Sequence, residues 1–162
     1  MRAGISMVAV AVSLAACLLR PSELCAGGSQ IQVIVHPTRA GSLTIGEVRA
    51  IYLKQQVLWS DGQPILPVNR EAESDARESF SHLVFGRGSR EMASYWNRRY
   101  FDAGEFPPAT LASDEAVVRF VAANANAIGY LVGTDGGSSV AVVLVLGDRA
   151  SLRSGSEAVP AP

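Results

Sequence analysis

Residues 65–80 read Ile65-Leu66-Pro67-Val68-Asn69-Arg70-Glu71-Ala72-Glu73-Ser74-Asp75-Ala76-Arg77-Glu78-Ser79-Phe80. The apolar run Ile65–Val68 reads as a strand that leaves through a short polar loop carrying Arg70. Ser74 stands where a helix cap belongs, because its short hydroxyl side chain accepts from a free N–H of the first turn. The helix it opens has an apolar face of Ala76, Phe80, Leu83 and Val84 at helical spacing. A cation, a hydroxyl and unpaired backbone N–H groups therefore converge at one helix start. Such a start attracts anions, because its first N–H groups lack intrahelical partners and the helix dipole is positive there.

The same alternation continues on both sides of this stretch. Ile31–Val35 is a short apolar run, read as a buried strand. Thr44 with Glu47 three residues later makes a capping box, and Ile45, Val48, Ile51 and Tyr52 follow on one helical face. Asp61-Gly62 is a turn signal, and Pro64 and Pro67 flank or edge the strand that follows. Gly86 and Gly88 close the Ser74 helix, and Ser89 caps a third helix with Met92, Tyr95, Trp96 and Tyr100 on one face. Asp102–Thr110 reads as a loop stiffened by Pro107-Pro108. Ser113 caps a fourth helix, with Val117, Phe120 and Val121 inward. Ile128–Leu131 and Val140–Leu146 read as strands, joined by the loop Asp135-Gly136-Gly137-Ser138-Ser139. Strands alternating with helices predict an α/β domain, a sheet flanked by helices.

Composition and the N-terminus bound the function. Ala3–Leu19 is an apolar run of 17 residues with Arg2 before it, followed by Arg20-Pro21 and the small residues Ala26-Gly27-Gly28-Ser29. That order of charge, apolar core and small-residue exit is a secretory signal, with cleavage expected after Ala26. A second reading is that Leu14-Ala15-Ala16-Cys17 is a lipobox, which would anchor the chain to a membrane through lipidated Cys17; Leu18 and Leu19 extend the apolar run past the Cys and count against it. Domain boundaries follow: 1–26 signal peptide, 27–147 folded domain, and 148–162 a disordered tail rich in Ser, Gly, Ala and Pro. Cys17 and Cys25 both precede the favoured cut, so the mature chain is expected to hold no disulfide and no thiolate metal site. The whole chain has 14 Lys and Arg against 15 Asp and Glu, a formal net charge of −1. Near-neutrality without basic clusters excludes a nucleic-acid partner.

The segment Ile31–Leu131 resembles the phosphate-binding proteins of ABC transporters, of the type 2 periplasmic-binding superfamily. The resemblance is carried by VIVHP (Val33–Pro37), SLTIGEVRAIYL (Ser42–Leu53), WSDGQPILPVNRE (Trp59–Glu71), SDARESF (Ser74–Phe80), Tyr95-Trp96 and AIGYL (Ala127–Leu131), in order, over about a hundred residues. It implies a periplasmic-binding-protein-like fold of which this chain is long enough for a single lobe, corresponding to the second of two. It also implies an anion site in which an Arg and a following Ser-Gly-Thr group contact phosphate. Arg70 and Ser74 match that pattern; Asp75 stands where Gly is expected and Ala76 where Thr is expected. The Ala lacks a hydroxyl donor, and the Asp adds a like charge that would repel an anion at about 4 Å by about 4 kcal/mol at an intermediate dielectric.

The site residues expected from these readings are Arg70, Ser74, Asp75, Ala76 and Arg77. Against the anion site stands a plainer reading, a capped helix start in which Arg70 pairs with Glu71, Glu73 or Asp75. Arg77 would assist an anion or pair with Glu73, and pairing is the favoured reading. Trp59 and Trp96 read as packing rather than ligand stacking. Tyr130, after Gly129, reads as structural, the glycine permitting close approach. His36 and His82, the only histidines, lack an acidic or Cys cluster at ligand spacing, so neither metal nor cofactor is expected. No Ser/His/Asp arrangement can be defended, so an enzyme is not expected. The reading is an exported periplasmic or secreted solute-binding-like protein for phosphate or a similar oxyanion, with an ABC permease or another envelope protein as partner. The alternative is a ligand-free, single-lobe accessory or partner-binding protein.

Overall fold

The computed structural model describes residues 30–133 and 137–147. The expected signal peptide, the lipobox with Cys17, residues 134–136 and the expected tail lie outside the described residues. In chain order the elements are β1 (Ile31–Val35), a 3-10 turn (Pro37–Arg39), α1 (Ile45–Tyr52), β2 (Leu66–Arg70), α2 (Asp75–Phe85), α3 (Ser89–Ala103), β3 (Ala109–Leu111), α4 (Asp114–Ala123), β4 (Ala127–Val132) and β5 (Ala141–Leu146). The strands form one sheet in the order β3-β2-β4-β1-β5. β2 runs parallel to both β3 and β4, while β1 runs antiparallel to β4 and β5. The parallel strands β2, β3 and β4 therefore end at one edge of the sheet, where β2 feeds α2 and β3 feeds α4.

Helix ends form where short polar side chains satisfy the free N–H groups. Thr44 and Glu47 make the full reciprocal capping box of α1. Ser74 and Ser113 accept from Arg77 N–H and Ala116 N–H to cap α2 and α4. Gly86 closes α2 in the left-handed conformation at φ 70°. The cap of α3 is Gly88 rather than Ser89, with Glu91 accepting the Gly88 N–H at 3.0 Å.

The period of two along the strands sorts side chains onto two faces. Ile31, Val33 and Val35 of β1 join Ile128 and Tyr130 of β4 in a core covered by α1 and α2, with Val48, Ile51, Tyr52, Phe80 and Val84 packed in. Ile34, Val68, Ala127 and Leu131 face the other way onto Val117 and Val121 of α4. The sheet is thus covered on both sides, and all five residues of β1 are buried. Gly129 lies under α4: a Cβ there would meet Val117 Cγ1 at 2.5 Å and Val68 Cγ2 at 3.2 Å. The helix can lie this close to the strand only because that side chain is absent.

Further sequence expectations change. Asp102–Thr110 is not a continuous loop: α3 runs on to Ala103, and Ala109–Leu111 forms β3 by pairing with Val68–Arg70. Phe120 is half-buried, because it lies at the margin of the α4 face rather than beneath it. Tyr100 is 46% exposed, since α3 packs only its Met92 and Trp96 side inward. Ile45, in the first turn of α1, is 39% exposed and stands at the end of its helix face. Pro67, expected to flank or edge the strand, lies within β2 at an edge position. It is tolerated because β2 gains its β3 neighbour only from Val68 onward, so the strand is still an edge at the proline.

Candidate functional site

Arg70 is the last residue of β2 and stands at the carboxyl edge of the three parallel strands, the region where open α/β sheets present ligands. Its backbone is held from below. The Tyr130 hydroxyl accepts the Arg70 N–H at 3.1 Å and donates to Asn69 Oδ1 at 3.2 Å. Tyr130 is fixed in turn by stacking on Phe80, with ring centroids 3.8 Å apart and planes 2° from parallel. Burial raises the Tyr130 phenol above its ordinary value and raises Tyr52 well above it, so both hydroxyls stay protonated. Tyr52 donates to the Val68 carbonyl at 3.0 Å, tying α1 to the same strand end. Tyr130 is thus a structural residue, as its place after Gly129 suggests, and it also sets the position of the candidate cation.

The Arg70 side chain is 12% exposed. One Nη pairs with Asp114, the first residue of α4, and the other donates to the Ala112 carbonyl at 3.2 Å. Its Nε is buried and has no hydrogen-bond partner among the described residues. The second Asp114 oxygen accepts the Val132 N–H from the end of β4 at 3.3 Å. The partner of Arg70 is therefore none of Glu71, Glu73 and Asp75. Those residues are exposed on the loop and first turn, whereas Asp114 is delivered by the neighbouring strand and helix start.

The remaining expected residues lie around the start of α2. Ser74 Oγ accepts the Arg77 N–H at 3.2 Å and donates to the Glu71 carbonyl at 2.8 Å. The N–H groups of Asp75 and Ala76, at the first two helical positions, have no intrahelical acceptor. Asp75 is exposed and makes no ion pair among the described residues. The Ala76 side chain is buried in the core, 5% exposed, so only its backbone faces the loop. Arg77 does not pair with Glu73; it donates to the Arg70 carbonyl at 3.2 Å and bridges α2 back to β2. Arg77 thus links Ser74 to the Arg70 backbone, while the Arg70 guanidinium is directed at the start of α4; Asp75 lies on the rim, and the Ala76 side chain points away.

Sequence reasoning missed Asp114, Ala112 and Val132 as parts of this cluster. The signal available was the Ser113-Asp114 helix start, read only as a cap. Elsewhere, Trp96 is buried and Trp59 is half-buried, its indole N–H donating to the Asn126 carbonyl at 3.1 Å. Asp61 forms the expected turn, accepting the Gln63 N–H, and pairs with Arg39 at 2.7 Å. Among the described residues no three His, Cys, Asp or Glu side chains gather at a metal-binding spacing.

No family profile matches the sequence, and no curated protein does. Solved structures do match. An ABC-type phosphate transport receptor from Vibrio cholerae superposes with a TM-score of 0.55 at 22% identity, over 71% of this chain and 46% of the receptor. A protein from Clostridium perfringens, described as a phosphate ABC transporter substrate-binding protein and solved with bound phosphate, superposes with a TM-score of 0.51 at 25% identity, over 71% of this chain and 45% of its own. The chain thus spans under half the length of these two structures. Its fold is that of one lobe of these substrate-binding proteins, an α/β sheet with helices on both sides.

Proposed function

We propose that this chain is an exported, solute-binding-like protein that takes phosphate or a similar oxyanion at Arg70, Ser74, the first N–H groups of α2 and Arg77. One observation carries the reading: Arg70 is held at the carboxyl edge of the parallel strands, beside the open N-terminus of α2, in a fold shared with proteins named for phosphate transport. Arg supplies paired donors matched to an oxyanion, and the helix start supplies fixed donors and positive potential. Asp75 is the rim residue that opposes the anion, and Ala76 contributes its backbone alone. The apolar segment Ala3–Leu19 with its small-residue exit supports export to the periplasm or beyond, with Cys17 lipidation as the competing route. An ABC permease or another envelope protein is the partner that fits this reading.

The second reading, a ligand-free lobe that binds a protein partner, draws on two observations. Arg70 already has an internal carboxylate partner, and the Ser74 donor is directed at Glu71. Calorimetric titration of the purified protein with phosphate and sulfate separates the two. The oxyanion reading expects saturable heat that Arg70→Ala removes; absence of heat with every anion supports the partner-binding reading. Intact-mass measurement of the protein from its host tests processing: a chain beginning at Gly27 supports signal-peptide cleavage, and a lipid adduct on Cys17 supports the anchor.

A further inference from the structure

We infer that Asp114 is a resident competitor for the Arg70 guanidinium and sets how tightly this chain holds an oxyanion. The inference rests on the oxyanion reading of Arg70. Asp114 already satisfies the requirements of an anion at this position. One oxygen pairs with Arg70 Nη, the other accepts the Val132 N–H at 3.3 Å, and the residue stands in the first turn of α4, where the dipole favours negative charge. The exposures give the direction of access: the Asp114 side chain is 32% exposed and the Arg70 side chain 12%. A solvent-borne anion therefore meets the carboxylate before the cation. It binds either by displacing Asp114 from the guanidinium or by sharing Arg70 at close range with a like charge. Both routes weaken binding, and both disappear when the carboxylate charge is removed.

A purely positioning role predicts the opposite sign. If Asp114 served only to aim Arg70, its loss would loosen the guanidinium and weaken the anion. Asp114→Asn keeps the shape and an oxygen acceptor for Val132 while removing the charge, so it divides the two roles. Phosphate is titrated into wild type and Asp114→Asn by calorimetry at low salt. Competition predicts tighter binding by Asp114→Asn, by about tenfold or more, with the gain shrinking as salt screens the lost repulsion. Equal or weaker binding by the variant, with wild type binding phosphate, overturns the inference and leaves the oxyanion reading standing. No binding by either protein removes both. Denaturant melts establish that the variant is folded. A measurement on the wild type alone covers the case in which it is not: the side-chain carboxyl carbon of Asp114 and the guanidinium of Arg70 are followed by NMR during phosphate titration. Displacement requires both signals to move together with one saturation curve; an Asp114 signal unchanged at saturation overturns the inference.

Discussion

Phe80→Ala tests the packing that holds the candidate site. Phe80 is fully buried, stacks on Tyr130 at 3.8 Å, tilts against Tyr52 at 4.7 Å and meets Phe85 edge-on at 6.0 Å. Truncation empties a ring-sized volume between α2 and the sheet, and core aromatic truncations cost about 3–5 kcal/mol. Because the ring also makes three aromatic contacts, each worth about 0.5–1.5 kcal/mol beyond area burial, the upper half of that range is expected. Against a total stability of about 5–15 kcal/mol, this is a large fraction. In urea melts with a slope of about 1–3 kcal/mol/M, the midpoint should fall by at least about 1 M with the slope unchanged. Tyr130 loses its stacking partner in the variant, so the Arg70 amide signal should also move, through the 3.1 Å bond to the phenol oxygen. A loss under about 1 kcal/mol, or an unmoved Arg70 amide, would refute the placement of α2 against β4.

Two further predictions concern stability. Gly129→Ala should destabilise by about 1–3 kcal/mol, the cost of overpacking, because its Cβ would lie 2.5 Å from Val117 Cγ1; Val117→Ala in the same chain should recover part of the loss in denaturant melts. Acid should weaken the fold through carboxylates whose folded values are depressed: Glu47 by the Thr44 N–H and hydroxyl, Asp61 by Arg39, Glu78 by the Ser89 hydroxyl and N–H, and Glu115 by Ser113. For a depressed carboxylate the stabilisation is complete above its ordinary value, 4.5 for Glu and 3.8 for Asp, and is lost as pH falls through the lower folded value. Melts against pH should therefore be flat near neutrality and fall on the acid side, with a shallower acid slope in Glu78→Gln; a slope that does not change in that variant contradicts the assignment.

Local features were legible because they depend on neighbours in sequence. The Thr44–Glu47 box, the Ser74 and Ser113 caps and the Gly86 stop each involve side chains within about four residues of the backbone they serve. The apolar runs that became β1 and β4 were legible for the same reason, since burial on both faces leaves a continuous hydrophobic signature; β2 and β5 also stand out as apolar runs, although Leu66, Val142 and Val145 are exposed. β3 was not legible: Ala109–Leu111 is three residues long, follows two prolines, and becomes a strand only by pairing with Val68–Arg70 some forty residues earlier. The site divides in the same way. Arg70, Ser74 and Arg77 are close in sequence and were found together. The Arg70 partner lies 44 residues away on α4, and its backbone anchor, Tyr130, lies 60 residues away on β4. Charge proximity in sequence pointed to Glu71, Glu73 and Asp75, but the exposed loop leaves those side chains in water, where pairing is worth little.

The central claim, that an oxyanion binds where β2 meets α2, is tested most directly by two-dimensional amide NMR of the purified protein during phosphate titration, with Arg70→Ala and Asp75→Gly alongside. Saturable shifts are expected, confined to Arg70, Ser74, Asp75, Ala76, Arg77 and the neighbouring Asp114. For the described lobe, titrated by itself, the dissociation constant should be on the order of millimolar to high micromolar, about 4–6 kcal/mol of binding. Arg70→Ala should abolish the shifts, and Asp75→Gly should strengthen binding. No shift near Arg70 or Ser74 at saturating phosphate, with no binding restored by Asp75→Gly, would contradict it.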